Sequence, residues 1–289
     1  MRAIFGYKGA FVRRILAAVG PLLAGILLWA GCDPTSEVTG VNLPEEPARL
    51  VVNAYLDPDA PLISVYAGAS NPVNYQQWRP LARSDYFHRY PILSNAAVHI
   101  EEVKSGRKQL LDVDSSVMEY CVGATTFRLQ RGETYRVHVW HPDYGEAVAT
   151  CSVPTGEHVA LQAKASAMGV TYRIAIPREP ERYFYIKATG ITKKNSRYVD
   201  FKTISSASSV EGVIMGSISM PPEIVQEETS WLLLMWELDK EGYLYLSRLK
   251  ELDAMEDDPF AVPVPAYSNV QGGLGNVCGV VFQDSVAVQ

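Results

Sequence analysis

From Leu50 onward, apolar residues recur at every second position in short runs, and this period of two commits the chain to β-structure. In "RLVVNAYL", Leu50, Val52, Ala54 and Leu56 share one face; in "LISVYA", Ile63, Val65 and Ala67 do the same. "AAVHIEEV" sends Val98 and Ile100 inward, and "ETYRVHVW" sets Tyr135, Val137 and Val139 against Arg136, His138 and Trp140. Successive side chains of a strand point to opposite faces, so each run describes a half-buried strand. The intervening "DPDAP", "KSGRK" and "HPDYG" hold the Pro, Gly and Asp that turn a chain. Short strands punctuated in this way predict a mainly all-β fold. An Ig-like or transthyretin-like β-sandwich over residues 48–155 is followed by a second β-rich lobe over 156–289, the two meeting near 154–158.

The second lobe opens with "VTYRIAIP" and "ERYFYIKATGI" and closes on "NVCGVVFQDSVAV". Its "SWLLLMWEL" is apolar at both parities, which predicts a central strand covered on both faces. One helix interrupts the strands near residues 240–254. Asp239 is placed to cap it, Tyr243, Leu246, Leu249 and Leu252 recur at helical spacing, and "EDDP" stops it.

Ahead of the first strand the chain has a different character. Arg2, Lys8, Arg13 and Arg14 precede the uncharged run "ILAAVGPLLAGILLWAG", and no acidic residue occurs before Asp33. A basic start, an apolar stretch and small residues at its end describe an export signal over residues 1–31. A membrane-spanning helix needs about 20 apolar residues; this run is shorter and carries Gly20, Pro21 and Gly25. Ala30 and Gly31 directly before Cys32 resemble a bacterial lipoprotein signal, with Trp29 where leucine is usual and Leu28 one place further back. Cys32 is therefore the expected lipid-attachment residue, tying the protein to a membrane through its acyl chains. The alternative is a plain secretory signal. Residues 32–47, polar and proline-bearing, read as a tether.

Removing residues 1–31 takes away four basic and no acidic residues, so the formal charge of −6 becomes −10. A chain this acidic lacks the electrostatic footprint of a nucleic-acid binder. Cysteine is sparse: beyond Cys32 there are Cys121, Cys151 and Cys278, with no CxxC pair. Cys121 alternates with Glu119, whereas Cys151 shares a face with Ala147, Ala149 and Val153, so a bridge between the two would join opposite faces.

No catalytic constellation, cofactor site or metal site emerges. Gly272, Gly273, Gly275 and Gly279 lie in "NVQGGLGNVCG", but the spacing is not GxGxxG and no helix start follows to receive a phosphate. Tight backbone turning before a strand explains them better. His138, His141, Asp143 and His158 fall on a polar strand face and around a turn, where tetrahedral convergence needs a tailored loop. "SGRK", with Ser105 and Lys108, matches SxxK but occupies a hairpin turn rather than a helix. Glu101 with Glu102 and Asp257 with Asp258 are paired carboxylates with nothing to mark them as buried.

Residues 69–94 break the strand rhythm. The segment crowds Tyr75, Trp78, Tyr86, Phe87 and Tyr90 beside Arg79, Arg83 and Arg89. Tyr, Trp and Arg dominate binding hot spots, so these eight residues are the candidate partner or ligand contacts. The other reading folds the segment back over an open end of the sandwich and buries its rings.

Several features in this order resemble domain-of-unknown-function family 4249, lipoproteins of Bacteroidota outer membranes. They are Cys32, "VNLPEEPARLVVNAYLDPDAPLISV", "LSNAAVHIEE", "GETYRVHVWHPDYGEAVATCSVP" and "DPFAVPVPAYSNVQGGLGNVCGV", with "YSNVQGGLG" the most specific. The resemblance implies an outer-membrane lipoprotein beside a TonB-dependent receptor, with an accessory role in uptake, and carries over only Cys32. The expected function is a non-enzymatic binding component. A structural or adhesive surface lipoprotein is the first alternative, and a hydrolase with an unrecognised site the second.

Overall fold

The computed structural model describes residues 47–70, 92–166, 169–177, 179–192, 197–219, 229–255 and 266–288. The first eight strands are β1 (Leu50–Leu56), β2 (Leu62–Ala69), β3 (Ala97–Glu102), β4 (Lys108–Leu110), β5 (Asp112–Asp114), β6 (Glu119–Gly123), β7 (Thr134–His141) and β8 (Gly145–Ser152). Next come β9 (Leu161–Ser166), β10 (Gly169–Ala175), β11 (Tyr183–Thr192), β12 (Arg197–Ser205), β13 (Val213–Ser219) and β14 (Thr229–Leu238). Helix α1 (Lys240–Met255) and the long β15 (Gly273–Val288) complete the described fold. It is the all-β sandwich architecture that the period of two predicts, with α1 where Asp239 was placed to cap it.

The alternating residues of β1, β2, β3, β7 and β8 form a first core, in which Leu50, Val65, Val98, Val137 and Val139 are fully buried. Tyr135 is buried there too, and its hydroxyl accepts from the Gln130 N–H five residues upstream at 2.7 Å, the tyrosine-corner arrangement of Greek-key sandwiches. A second core gathers Ile174, Ile186, Leu233 and Met235 from β10, β11 and β14. The chain leaves the first core at Val153 and enters the second at Val159.

Strand β15 belongs to both lobes. Its first half runs parallel to β1, from Leu50↔Gly273 to Leu56↔Gly279, and its second half runs antiparallel to β14. The result is one eight-stranded sheet in the order β12-β11-β14-β15-β1-β2-β6-β5, accompanied by the sheets β13-β10-β9 and β4-β3-β7-β8. A division of the chain at residue 155 leaves this out, because a parallel partner for β1 must arrive by a long crossover rather than a hairpin. Val277 and Val281 accordingly lie in the first core.

The glycine-rich segment is what lets β15 in. Gly275 has φ +112°, and a Cβ there would stand 2.1 Å from the Val52 carbonyl oxygen; at Gly272 (φ +77°) it would meet the Glu146 oxygen at 2.3 Å. Asn269 substitutes for a strand partner, donating from Nδ2 to the Val277 oxygen (2.7 Å) and accepting the Val277 N–H at 3.0 Å. These residues serve chain packing, with no phosphate cradle. Cys121, Cys151 and Cys278 are buried free thiols, and burial pushes Cys151 and Cys278 well above the usual thiol range.

Strand β14 departs from expectation. Trp231, Leu233 and Met235 are buried on its inner face, but on the outer face Leu232 is exposed and Leu234 and Trp236 are only half-buried. The cover that the apolar sequence anticipates reaches only one end, because α1 packs over Leu238, Cys278 and Val280. Leu249, read as inward-facing, is exposed: Ser247 and Lys250 meet Thr203 and Asp200 of β12, so this part of α1 lies along the sheet's edge strand.

Candidate binding surface on the outer face of the long sheet

The outer face beside α1 carries a row of aromatic rings, one end of which, Phe201 and Tyr185, packs against the helix. Tyr185, Trp236 and Phe282 stand directly opposite one another on β11, β14 and β15, and Phe201 of β12 extends the row. Successive ring centroids are 5.3, 5.8 and 5.8 Å apart, within the range of favourable aromatic pairing. Within the row Phe282 is 42 % exposed; further along the same face Leu232 is 41 %, Val199 44 % and Ile191 47 % exposed, with Lys187 and Thr189 between them and the row. Single exposed apolar residues are ordinary, and a cluster of them on one sheet face is a candidate contact surface.

The helix beside this face is held by one carboxylate. Asp239 Oδ1 accepts from the Gly242 N–H (2.9 Å), capping α1, while Oδ2 accepts from Ser152 and Gly279 at 3.2 Å each. Asp239 thus ties the helix start to β8 and β15. Tyr183 stacks on Tyr243 at 4.8 Å, and Lys250 pairs with Asp200 while standing 5.0 Å over the Phe201 ring.

Burial pushes Asp239 up to about 6, against three backbone N–H donors that favour the charged form. Between the ordinary aspartate range and 6 the native state therefore binds more protons than the unfolded state. Stability contributed by this group is fully present below the unfolded value and is lost as pH rises through 6. At about 1.4 kcal/mol per pKa unit, the difference amounts to roughly 3 kcal/mol. Urea unfolding from pH 4 to 7.5 should show Asp239→Asn flattening this downward slope relative to the wild type. A slope unchanged by the substitution would remove Asp239 as its source.

Behind the aromatic row, Glu237 is a charge on the buried face of β14. Arg182 grips it twice, Nε–Oε1 at 2.7 Å and NH2–Oε2 at 2.6 Å, and Gln283 Nε2 donates to Oε2 at 3.0 Å. Arg182 also donates to the Glu157 carbonyl, and Gln283 Oε1 accepts from the Val159 N–H. The link between the lobes is thereby fastened to the sheet that bears the aromatic face.

Cys32 and all eight candidate contacts, Tyr75, Trp78, Arg79, Arg83, Tyr86, Phe87, Arg89 and Tyr90, lie outside the described residues. Of segment 69–94, Ala69 ends β2 and Leu93 packs on the first core, where the Tyr120 hydroxyl donates to the Leu93 oxygen. His138 lies between Glu101 (3.3 Å) and Glu146 (3.7 Å), and His141 meets Asn95 at 2.6 Å; no set of three metal-ligating groups converges among the described residues. Glu102, which nothing in the sequence marked as buried, is buried, and Ser105 and Arg107 occupy it. Lys108 of the SxxK match pairs with Glu101. The aromatic row went unread because its members are far apart in sequence. A signal did exist in "SWLLLMWEL": outer-parity Leu232, Leu234 and Trp236 are as apolar as the inner Trp231, Leu233 and Met235, and the single charge, Glu237, falls on the inner parity.

The profile of a family described as "Domain of unknown function (DUF4249)" matches residues 37–283. No curated protein matches the sequence. A two-domain fibronectin type-III segment of chicken tenascin is 10 % identical, covering 66 % of this chain and 91 % of its own, with a TM-score of 0.21. The chicken interferon gamma receptor alpha chain is 9 % identical, covering 68 % of this chain and 92 % of its own, also at 0.21.

Proposed function

The chain belongs to the DUF4249 family, and from that premise we propose that it is a lipid-anchored, non-enzymatic binding component of an outer membrane, assisting a TonB-dependent receptor in uptake. The partly open aromatic face carries the binding reading: Phe282 and Leu232 are exposed on it, beside the half-buried rings of Tyr185 and Trp236. Placing such residues on a packed scaffold lowers the ordering cost of association. The anchor reading is supported by the basic start, the apolar run and the small residues before Cys32.

Two expected results test it. Cys32→Ala should move the protein from the membrane to the soluble fraction, and the wild type should carry the mass of its acyl chains. Leu232→Thr with Phe282→Thr should abolish co-purification of an outer-membrane barrel from detergent extracts. Because both side chains are over two-fifths exposed, that variant should stay within about 1 kcal/mol of wild-type stability. An unlipidated, soluble wild type would sink the anchor; barrel recovery undiminished by the double substitution would sink the role of this face.

A further inference from the structure

Six strands end a sheet among the described residues, and five are protected in ways that block further pairing. β4 and β5 have three residues each and carry Lys108 or Asp112 and Asp114. β12 carries Asp200 and Lys202. β8 is covered through a two-way backbone bridge between Val148 and Gln271, and the Leu161 N–H at the start of β9 is taken by Asp284. The sixth, β13, reads "VIMGSIS" over seven residues, without a charge or a proline.

Its outward backbone groups follow from the ladder. Val213 exchanges both backbone hydrogen bonds with Val210, away from β10, so alternation turns Met215, Ser217 and Ser219 the same way. The Ser219 oxygen accepts from the Tyr198 hydroxyl at 3.1 Å. Met215 and Ser217 keep outward N–H and C=O groups with no partner among the described residues, and Met215 is 78 % exposed.

Within the three strands of this sheet the charge is one-sided, the nearest carboxylate along the chain being Glu211 in the turn before β13. Strands β9, β10 and β13 contain Lys164 and Arg173 and no carboxylate, on a chain whose net charge is −6. Both cations border an open depression of about 600 Å³ that Gln162, Thr171, Met215 and Ser217 also line. Arg173 stands directly behind Met215 in register, and among the described residues its guanidinium donates to the neutral Gln162, at 3.4 Å. We propose that β13 is a docking edge that accepts an extended acidic segment of a partner protein as a fourth strand. The main chain supplies the ladder, and Arg173 selects carboxylates on the solvent face.

The proposal is independent of the lipid anchor and of the aromatic face. Its test uses the full chain in detergent at low salt and a capped, fluorescein-labelled heptapeptide alternating glutamate and valine, with the lysine-for-glutamate peptide as comparison, followed by anisotropy. The acidic peptide should bind and the basic one should not. Ser217→Pro removes one outward N–H that the sheet does not use, and should weaken binding at least tenfold with little change in Tm. Should Ser217→Pro fail to fold, Arg173→Glu, an exposed change, should reverse the preference between the peptides. Absence of binding by the acidic peptide, or equal binding by both peptides, overturns the proposal. A dimer of the wild type that Ser217→Pro dissociates would also overturn it, giving the edge to a second copy.

Discussion

Gly275→Ala is expected to leave no stably folded protein. The residue has φ +112°, and a Cβ would stand 2.1 Å from the Val52 carbonyl oxygen. The clash is with backbone on the neighbouring strand, so no side-chain rotation relieves it. Only separation of β1 from β15 does, and that undoes the pairing that carries β15 into both lobes. The cost belongs with the exceptional losses above about 4 kcal/mol, comparable to the whole stability of many domains, about 5–15 kcal/mol. Gly106→Ala provides the contrast: its φ is +71°, but nothing lies within 4 Å of the added carbon. There the left-handed backbone alone should cost about 1–2 kcal/mol. Soluble yield and urea midpoints compare the two directly. A Gly275→Ala protein as stable as Gly106→Ala would show that β15 tolerates a wider gap from β1.

Glu237→Ala should destabilise by about 3–5 kcal/mol, because it leaves the Arg182 guanidinium charged and mostly enclosed without its partner. The side chains of Arg182 and Glu237 are only 15 % and 5 % exposed, so solvent screens the pair weakly. Gln283 loses an acceptor in the same change. Replacing both charges, Arg182→Met with Glu237→Leu, should recover most of the loss, since well-packed apolar groups often match a buried ion pair. Urea unfolding of Arg182→Met, Glu237→Leu and the double variant gives the coupling. Single-variant losses below about 1 kcal/mol would place this pair with ordinary surface ion pairs.

The two variants probe contacts with different legibility in the sequence. Gly275 was visible as part of a glycine cluster, but the turning expected before a strand is instead close backbone approach within β15. Which backbone it approaches was not visible, because Val52 lies more than two hundred residues earlier. Glu237 is a charge within a strand otherwise read as apolar, and its partner Arg182 lies far away in sequence, just ahead of β11. Local signals carried through where they depend on neighbours along the chain. Asp239 caps α1 at the residue expected, and the alternating faces of β1, β2, β3 and β7 are buried as read.

What the sequence by itself determined is the strands with clear apolar alternation, such as β1, β2, β3 and β7, their inward faces and the helix start, since a period of two and a capping side chain act within a few residues. Tertiary structure decided the rest. Only the assembled sheet shows that β15 serves two cores, that α1 covers Cys278 and Val280 while Leu232 remains exposed, and that Phe201, Tyr185, Trp236 and Phe282 meet. The physical reason is register: apolar periodicity says which face of a strand avoids water, whereas cross-strand pairing across long loops says which residues that face meets.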